Sequence, residues 1–236
     1  MSHHAVRAVP PALDTLAVAV CVAARRLLRE GLAVGTAGNV SARDPTSGLI
    51  AMTPAGCAYG TMTPADIAIV DPAGHLVRGD RRPTSELALH VDVLALRPDD
   101  HAIVHTHSPY AAAFSVARHP IPLVSNEGLF VGTPRVEIAE FAPPGTAALG
   151  RAAVHLLTRF PAARAFLLAN HGVVALGPDV ERAFLLAAQV EWEARIYHLA
   201  LQLGEPHVLT QAQMAEIVRH YANLPPVERS TQADEP

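Results

Sequence analysis

Charge, cysteine and long apolar runs are all scarce in this sequence, and each scarcity excludes something. Only 17% of the 236 residues are charged, and 18 basic against 22 acidic side chains leave a formal charge of −4. A dedicated nucleic-acid binder needs a strong cationic field, which argues against that class. The two cysteines, Cys21 and Cys57, sit in unlike contexts, which argues against a disulfide framework and points to reduced thiols in a cytosolic protein. No run of roughly 18 apolar residues occurs; the best candidate, Leu16 to Ala24, ends at Arg25-Arg26. The opening Met1-Ser2-His3-His4 lacks the regions of a secretory signal, so a cytoplasmic protein without membrane association is expected. What the sequence does have is apolar bulk: half of it is hydrophobic, enough for a sizeable core.

Periodicity predicts an amphipathic helix over 12–30, with Leu13, Leu16, Val20, Ala24 and Leu27 at helical spacing and Gly31 as its stop. A turn-rich stretch over 35–41 follows, then short strands around 48–52 and 67–70. Pro83 precedes a helix of about a dozen residues that ends at Pro98. A strand over 101–107, a short Ala-rich helix over 109–117, short strands within the proline-rich 120–144 and a helix over 145–159 come next. Phe166-Leu167-Leu168-Ala169 reads as a buried strand turned by Asn170-His171-Gly172 into a second one, with Gly172 supplying a positive φ. The longest helix spans about 179–203, capped by Asp179, and a short one near 210–222 leads into a flexible tail over 223–236. Strands and helices alternate throughout, which predicts one α/β domain over 1–236.

Three places carry chemistry. In His105-Thr106-His107, residues two apart on a strand present both imidazoles on one face, a common way to offer neutral nitrogens to a divalent metal. The alternative is a hydrogen-bonded histidine pair near the surface. His171, between two very apolar strands, is either a turn histidine or a third ligand at the end of the sheet. In Pro83-Thr84-Ser85-Glu86, hydroxyls at a helix N-terminus suit capping or an anion. Glu86 either complements the helix dipole or faces a metal as ligand or base, and His90, one turn on, can orient it or ligate. The small-residue loop 35–41 offers a second anion cradle, but neither a P-loop nor a dinucleotide fingerprint fits it. Cys57 has no CxxC partner or sequence-adjacent histidine, which speaks against a nucleophilic role.

Taken in order, Gly35-Thr36-Ala37-Gly38-Asn39-Val40-Ser41, Thr53-Pro54-Ala55-Gly56, Pro83-Thr84-Ser85-Glu86, His105-Thr106-His107 and Asn170-His171-Gly172 resemble the class II aldolase/adducin family, over roughly Leu13 to Tyr221. The resemblance implies a three-layer α/β/α fold around a mostly antiparallel sheet, assembled as a homotetramer with active sites between subunits. It implies a zinc ion, with Mn²⁺ or Co²⁺ as alternatives, on His105, His107 and His171, with Glu86 as fourth ligand and as acid/base. Thr36, Asn39, Gly56, Thr84 and Ser85 would hold a substrate phosphate. The implied activity is carbon–carbon cleavage of a small phosphorylated ketose, L-fuculose-1-phosphate-like, through a metal-stabilised enediolate.

Two positions depart from the aldolase pattern. Asn126 stands about where a neighbouring subunit's tyrosine donates a proton, and an amide cannot replace a phenol in that role. Leu224 falls near the place of a C-terminal tyrosine, with Tyr221 one turn earlier. These departures keep a decarboxylase of a phosphorylated 3-oxo sugar acid as the alternative, since it needs no such tyrosine. The family's epimerases carry Asp where Glu86 stands. A non-catalytic adducin-like assembly module predicts loss of the metal histidines, and all three are present.

Overall fold

The computed structural model describes residues 11–222, so the opening Met1-Ser2-His3-His4, Leu224 and the tail over 223–236 lie outside the described residues. Helix α1 (Pro11–Arg29) buries Leu13, Ala17, Val20, Ala24 and Leu27, which recur every three or four residues along one face. It stops where the sequence predicts. Gly31 takes φ +71°, and the amides of Leu32 and Ala33 turn back onto the Leu27 carbonyl.

Nine strands form one sheet: β1 (Asn39–Arg43), β2 (Ile50–Met52), β3 (Ala68–Val70), β4 (Leu76–Arg78), β5 (Ala102–Thr106), β6 (Ile121–Pro122), β7 (Arg135–Ala139), β8 (Ala165–Leu168) and β9 (Gly172–Gly177). Their spatial order is β4-β3-β2-β1-β5-β9-β8-β7-β6, and every neighbouring pair is antiparallel except β7 with β8. The remaining helices are α2 (Leu87–Leu96), α3 (Pro109–Ala117), α4 (Ala147–Arg159), α5 (Val180–Leu201) and α6 (Gln211–Ala222). Asp179 caps α5 as expected, its carboxylate accepting the Arg182 amide at 2.7 Å.

Strand periodicity sorts the core into two layers. Val104, Leu167, Val173 and Ala175 pack with α1, α3 and α5 on one face, while Ile103, Phe166, Val174 and Leu176 pack with α2 and α4 on the other. The architecture is the three-layer α/β/α arrangement with a mostly antiparallel sheet that the resemblance implies. His105, two residues beyond Ile103, therefore faces the α2 layer.

The expected strands around 48–52 and 67–70 are β2 and β3, but the turn-rich stretch is only half a turn. Its second half is β1, a central strand paired with both β2 and β5, whose Asn39, Ser41 and Arg43 resemble turn residues locally. Pairing on both sides overrides that local preference. The edge strand β4 is also absent from the sequence reading. Helix α2 begins later than Pro83 suggests: Glu86 is its N-cap, so Thr84 and Ser85 lie in the turn before it.

Candidate active site

The centre of the molecule is built where β5, β9 and the start of α2 meet. His105 is the fourth residue of β5, and His107 lies just past its end, its amide held by the Leu32 carbonyl at 3.0 Å. His171 precedes β9, its amide bonded to the Leu168 carbonyl and the Ser115 hydroxyl. The positive φ in this turn belongs to Asn170 (+55°), not to Gly172 as the sequence suggests. Gly172 is required for a different reason: a Cβ there would stand 2.0 Å from the Thr106 carbonyl oxygen. Gly38 closes the other side, with φ +74° and a Cβ position 2.6 Å from the His105 carbonyl oxygen.

The three imidazoles converge. Nε2 of His105 lies 3.0 Å from Nε2 of His107 and 3.3 Å from Nε2 of His171, with the rings steeply inclined to one another. Glu86 completes the group, Oε2 at 3.2 Å from His105 Nε2 and Oε1 at 3.3 Å from His171 Nε2. Burial holds all three histidines below the ordinary imidazole range, and for His105 and His107 the neighbouring rings push the same way. They are neutral at pH 7.

Hydrogen bonding fixes the tautomer of the central ring. His105 Nδ1–H donates to the Val173 carbonyl at 2.8 Å, which leaves Nε2 with a bare lone pair. Two ring nitrogens and a carboxylate oxygen crowd that one lone pair, and one acceptor site cannot satisfy them all by hydrogen bonding. Glu86 Oε1 and His171 Nδ1 are buried with no hydrogen-bond partner. Four electron-rich atoms facing one another are stable around a cation. Ligands at about 2.0–2.1 Å from a tetrahedral ion stand roughly 3.3 Å apart, and the observed separations of 3.0 to 3.3 Å fit that spacing. Among the described residues, His105, His107 and His171 are the cluster able to hold a metal.

A cavity of about 160 Å³ opens on this group, with Glu86, His107 and His171 in its wall. Thr36, Asn39, Gly56, Thr84 and Ser85, all singled out in the sequence, line the same cavity, and no arginine does. Backbone bonds bring them together: the Thr84 amide reaches the Thr53 carbonyl, the Ala55 amide the Arg82 carbonyl and the Thr53 amide the Val40 carbonyl, each at 3.0 Å. The Asn39 side chain is turned inward, its Nδ2 donating to Glu86 Oε2 at 2.8 Å and its Oδ1 bonded to His90 Nε2. The His90 ring reaches the Glu86 carboxylate through this amide. Its Nδ1 meets the Ser41 hydroxyl at 2.6 Å, and burial pushes its pKa down to about 3.

Asn126 is exposed before the short 3-10 turn Glu127–Val131, and Tyr221 is half-exposed on α6; neither lines the cavity. Ser41, Ser115 and the Val173 carbonyl were missed in the sequence. Ser41 had a signal, since it lies two residues from Asn39 on one strand face; the others are set by contacts distant in the chain.

The profile of the Class II Aldolase and Adducin N-terminal domain matches residues 18–198. A 5-methylthioribulose-1-phosphate/5-deoxyribulose-1-phosphate aldolase from Rhodospirillum rubrum is 38% identical over 199 residues, covering 84% of this chain and 87% of that protein. A 5-deoxy-D-ribulose 1-phosphate aldolase from Bacillus thuringiensis serovar kurstaki is 35% identical over 198 residues, covering 84% and 91%. The solved structure of an L-fuculose 1-phosphate aldolase superposes with a TM-score of 0.81 at 32% identity, covering 91% of this chain and 98% of that one.

Proposed function

The chain belongs to the class II aldolase and adducin family and is a lyase of the aldolase kind, and on that premise we propose that it cleaves a small 2-ketose 1-phosphate, of the 5-deoxypentulose or L-fuculose type, between C3 and C4. The observation that supports this most is the bare His105 Nε2 facing two further imidazoles and a carboxylate beside a hydroxyl-lined cavity. The sequence has no lysine, so a Schiff-base route has no lysine side chain to use.

His105, His107 and His171 would hold a divalent cation, zinc being the ion the neutral-nitrogen set suits, with Glu86 as fourth ligand until substrate arrives. The ion supplies Lewis acidity toward the substrate's carbonyl and hydroxyl oxygens. The neutral imidazoles leave the ion's charge undiminished. The hydroxyls of Thr36, Thr84 and Ser85, with Gly56 beside them, bind the phosphate, and Asn39 borders this subsite with its amide committed elsewhere. As the C3–C4 bond breaks, its electron pair stays on C3 and the C4 hydroxyl proton passes to the Glu86 carboxylate, giving an aldehyde. Glu86 delivers a proton to C3, and the other product is dihydroxyacetone phosphate.

Among the described residues no tyrosine lines the cavity, and the homotetramer that the family resemblance implies would let a neighbour border it. Half-exposed Leu185 and Trp192 on α5, together with exposed Phe130, offer apolar surface for such packing. No helix among the described residues is long and apolar enough to cross a membrane, and we propose a cytoplasmic setting.

The test is a coupled assay for triose phosphate release from 5-deoxyribulose 1-phosphate and L-fuculose 1-phosphate, before and after chelation. Release that stops on chelation and returns with Zn²⁺, Co²⁺ or Mn²⁺ supports the reading. Chelator-insensitive cleavage contradicts it, and CO₂ release from a phosphorylated 3-oxo acid without ketose cleavage would favour the decarboxylase.

A further inference from the structure

We infer that Asn39 and His90 are positioning residues for Glu86, holding Oε2 against the Asn39 amide so that Oε1 is the oxygen that carries the proton. The inference rests on the aldolase reading of Glu86 and goes beyond it by assigning an atom and the groups behind it.

A carboxylate only accepts, so the Asn39 atom 2.8 Å from Glu86 Oε2 is the amide nitrogen. The other end of that amide is then Oδ1, which also only accepts, and its partner His90 Nε2 must carry a hydrogen. A neutral ring with Nε2–H has a bare Nδ1, which takes the Ser41 hydroxyl proton at 2.6 Å. Ser41, His90 and Asn39 thus donate in one direction, ending on Oε2. All three are buried, so their polar side-chain atoms need partners from the protein, and this chain of bonds supplies them.

Glu86 is left with two unlike oxygens. A proton on Oε2 would face the Asn39 N–H and displace that bond. Oε1 has no hydrogen-bond partner and lies beside His171, which borders the cavity, whereas Oε2 also faces the fully buried His105. Reversing the Asn39 amide would set its oxygen against the carboxylate, and the His90 Nε2–H prevents that.

The first test needs no turnover. In metal-free protein with ¹⁵N-labelled histidine, ring-nitrogen NMR between pH 6 and 8 should show His90 as the Nε2–H tautomer; the Nδ1–H form would overturn the inference. The second compares His90→Phe, which removes the donor, with His90→Gln, whose amide nitrogen reaches the place of Nε2. His90→Phe frees the Asn39 amide to leave Glu86, and should lower kcat by roughly 10- to 100-fold, the scale of that hydrogen bond to a charged carboxylate, with metal content and KM essentially unchanged. His90→Gln should recover most of that loss. Unchanged kcat in His90→Phe, or equal loss in both variants, would overturn the positioning role. A wild-type protein that cleaves no ketose 1-phosphate would overturn the aldolase reading and with it the proton assignment, while the tautomer measurement decides the hydrogen-bond chain on its own.

Discussion

His105 and His90 are both completely buried and both face the same side of the sheet, yet their surroundings are opposite. Every polar atom of His90 is paired: Nε2 with Asn39 and Nδ1 with Ser41. His105 pairs Nδ1 with the Val173 carbonyl and leaves Nε2 among two imidazoles and a carboxylate. Burial alone therefore does not mark a metal ligand. An unsatisfied lone pair shared by several electron-rich atoms does, because only a cation relieves it.

The largest expected effect that would sharpen this contrast comes from Glu86, the group the two histidines share. Glu86→Gln should retain bound metal through the three histidines but lower kcat on the order of 10²- to 10⁴-fold, the usual contribution of a positioned acid/base. Metal analysis and steady-state kinetics on one preparation read both quantities; wild-type turnover would remove Glu86 from the proton path. A smaller effect is expected at the cavity wall. Ser85→Ala should raise KM for a ketose 1-phosphate about tenfold, as loss of one hydrogen bond to a charged group predicts, with kcat little changed. An equal loss with the unphosphorylated ketose would mean that Ser85 does not serve the phosphate.

The smallest effect concerns His90 and pH. Its folded-state pKa is pushed down to about 3 from the ordinary 6.5 by burial, with Glu86 opposing and the neighbouring His105 adding a smaller downward push. Above pH 6.5 neither folded nor unfolded chain protonates this ring. As pH falls from 6.5 toward 3 the unfolded chain takes up a proton that the folded one resists, so stability falls across that window. Urea midpoints of metal-free protein should drop from pH 7 to pH 5, and less so in His90→Gln. A midpoint independent of pH would contradict a neutral, enclosed His90.

The same contrast explains how much the sequence discloses. Helix α3 is legible to the residue, from Pro109 at its first turn to Ala117, because proline and alanine act locally. The apolar runs of β8 and β9 are legible through their composition, and His105, His107 and His171, the cluster able to hold a metal, stand out through spacing and motif. Strand β1 is not, because Asn39 and Ser41 are polar for the sake of the site behind them and so read as a turn. The bond between Asn39 and His90 spans 51 positions in the chain, and no local pattern announces it. Asn126 and Tyr221, singled out by register with a motif, lie outside the cavity of their own chain.

Titration of chelated protein with Zn²⁺, followed by calorimetry for wild type and His105→Asn in parallel, addresses the convergence of the histidines most directly. We predict one tight site per chain in the wild type, lost in the variant while its circular dichroism is unchanged. Failure of the wild type to bind any divalent ion, or equal binding by His105→Asn, would contradict the account.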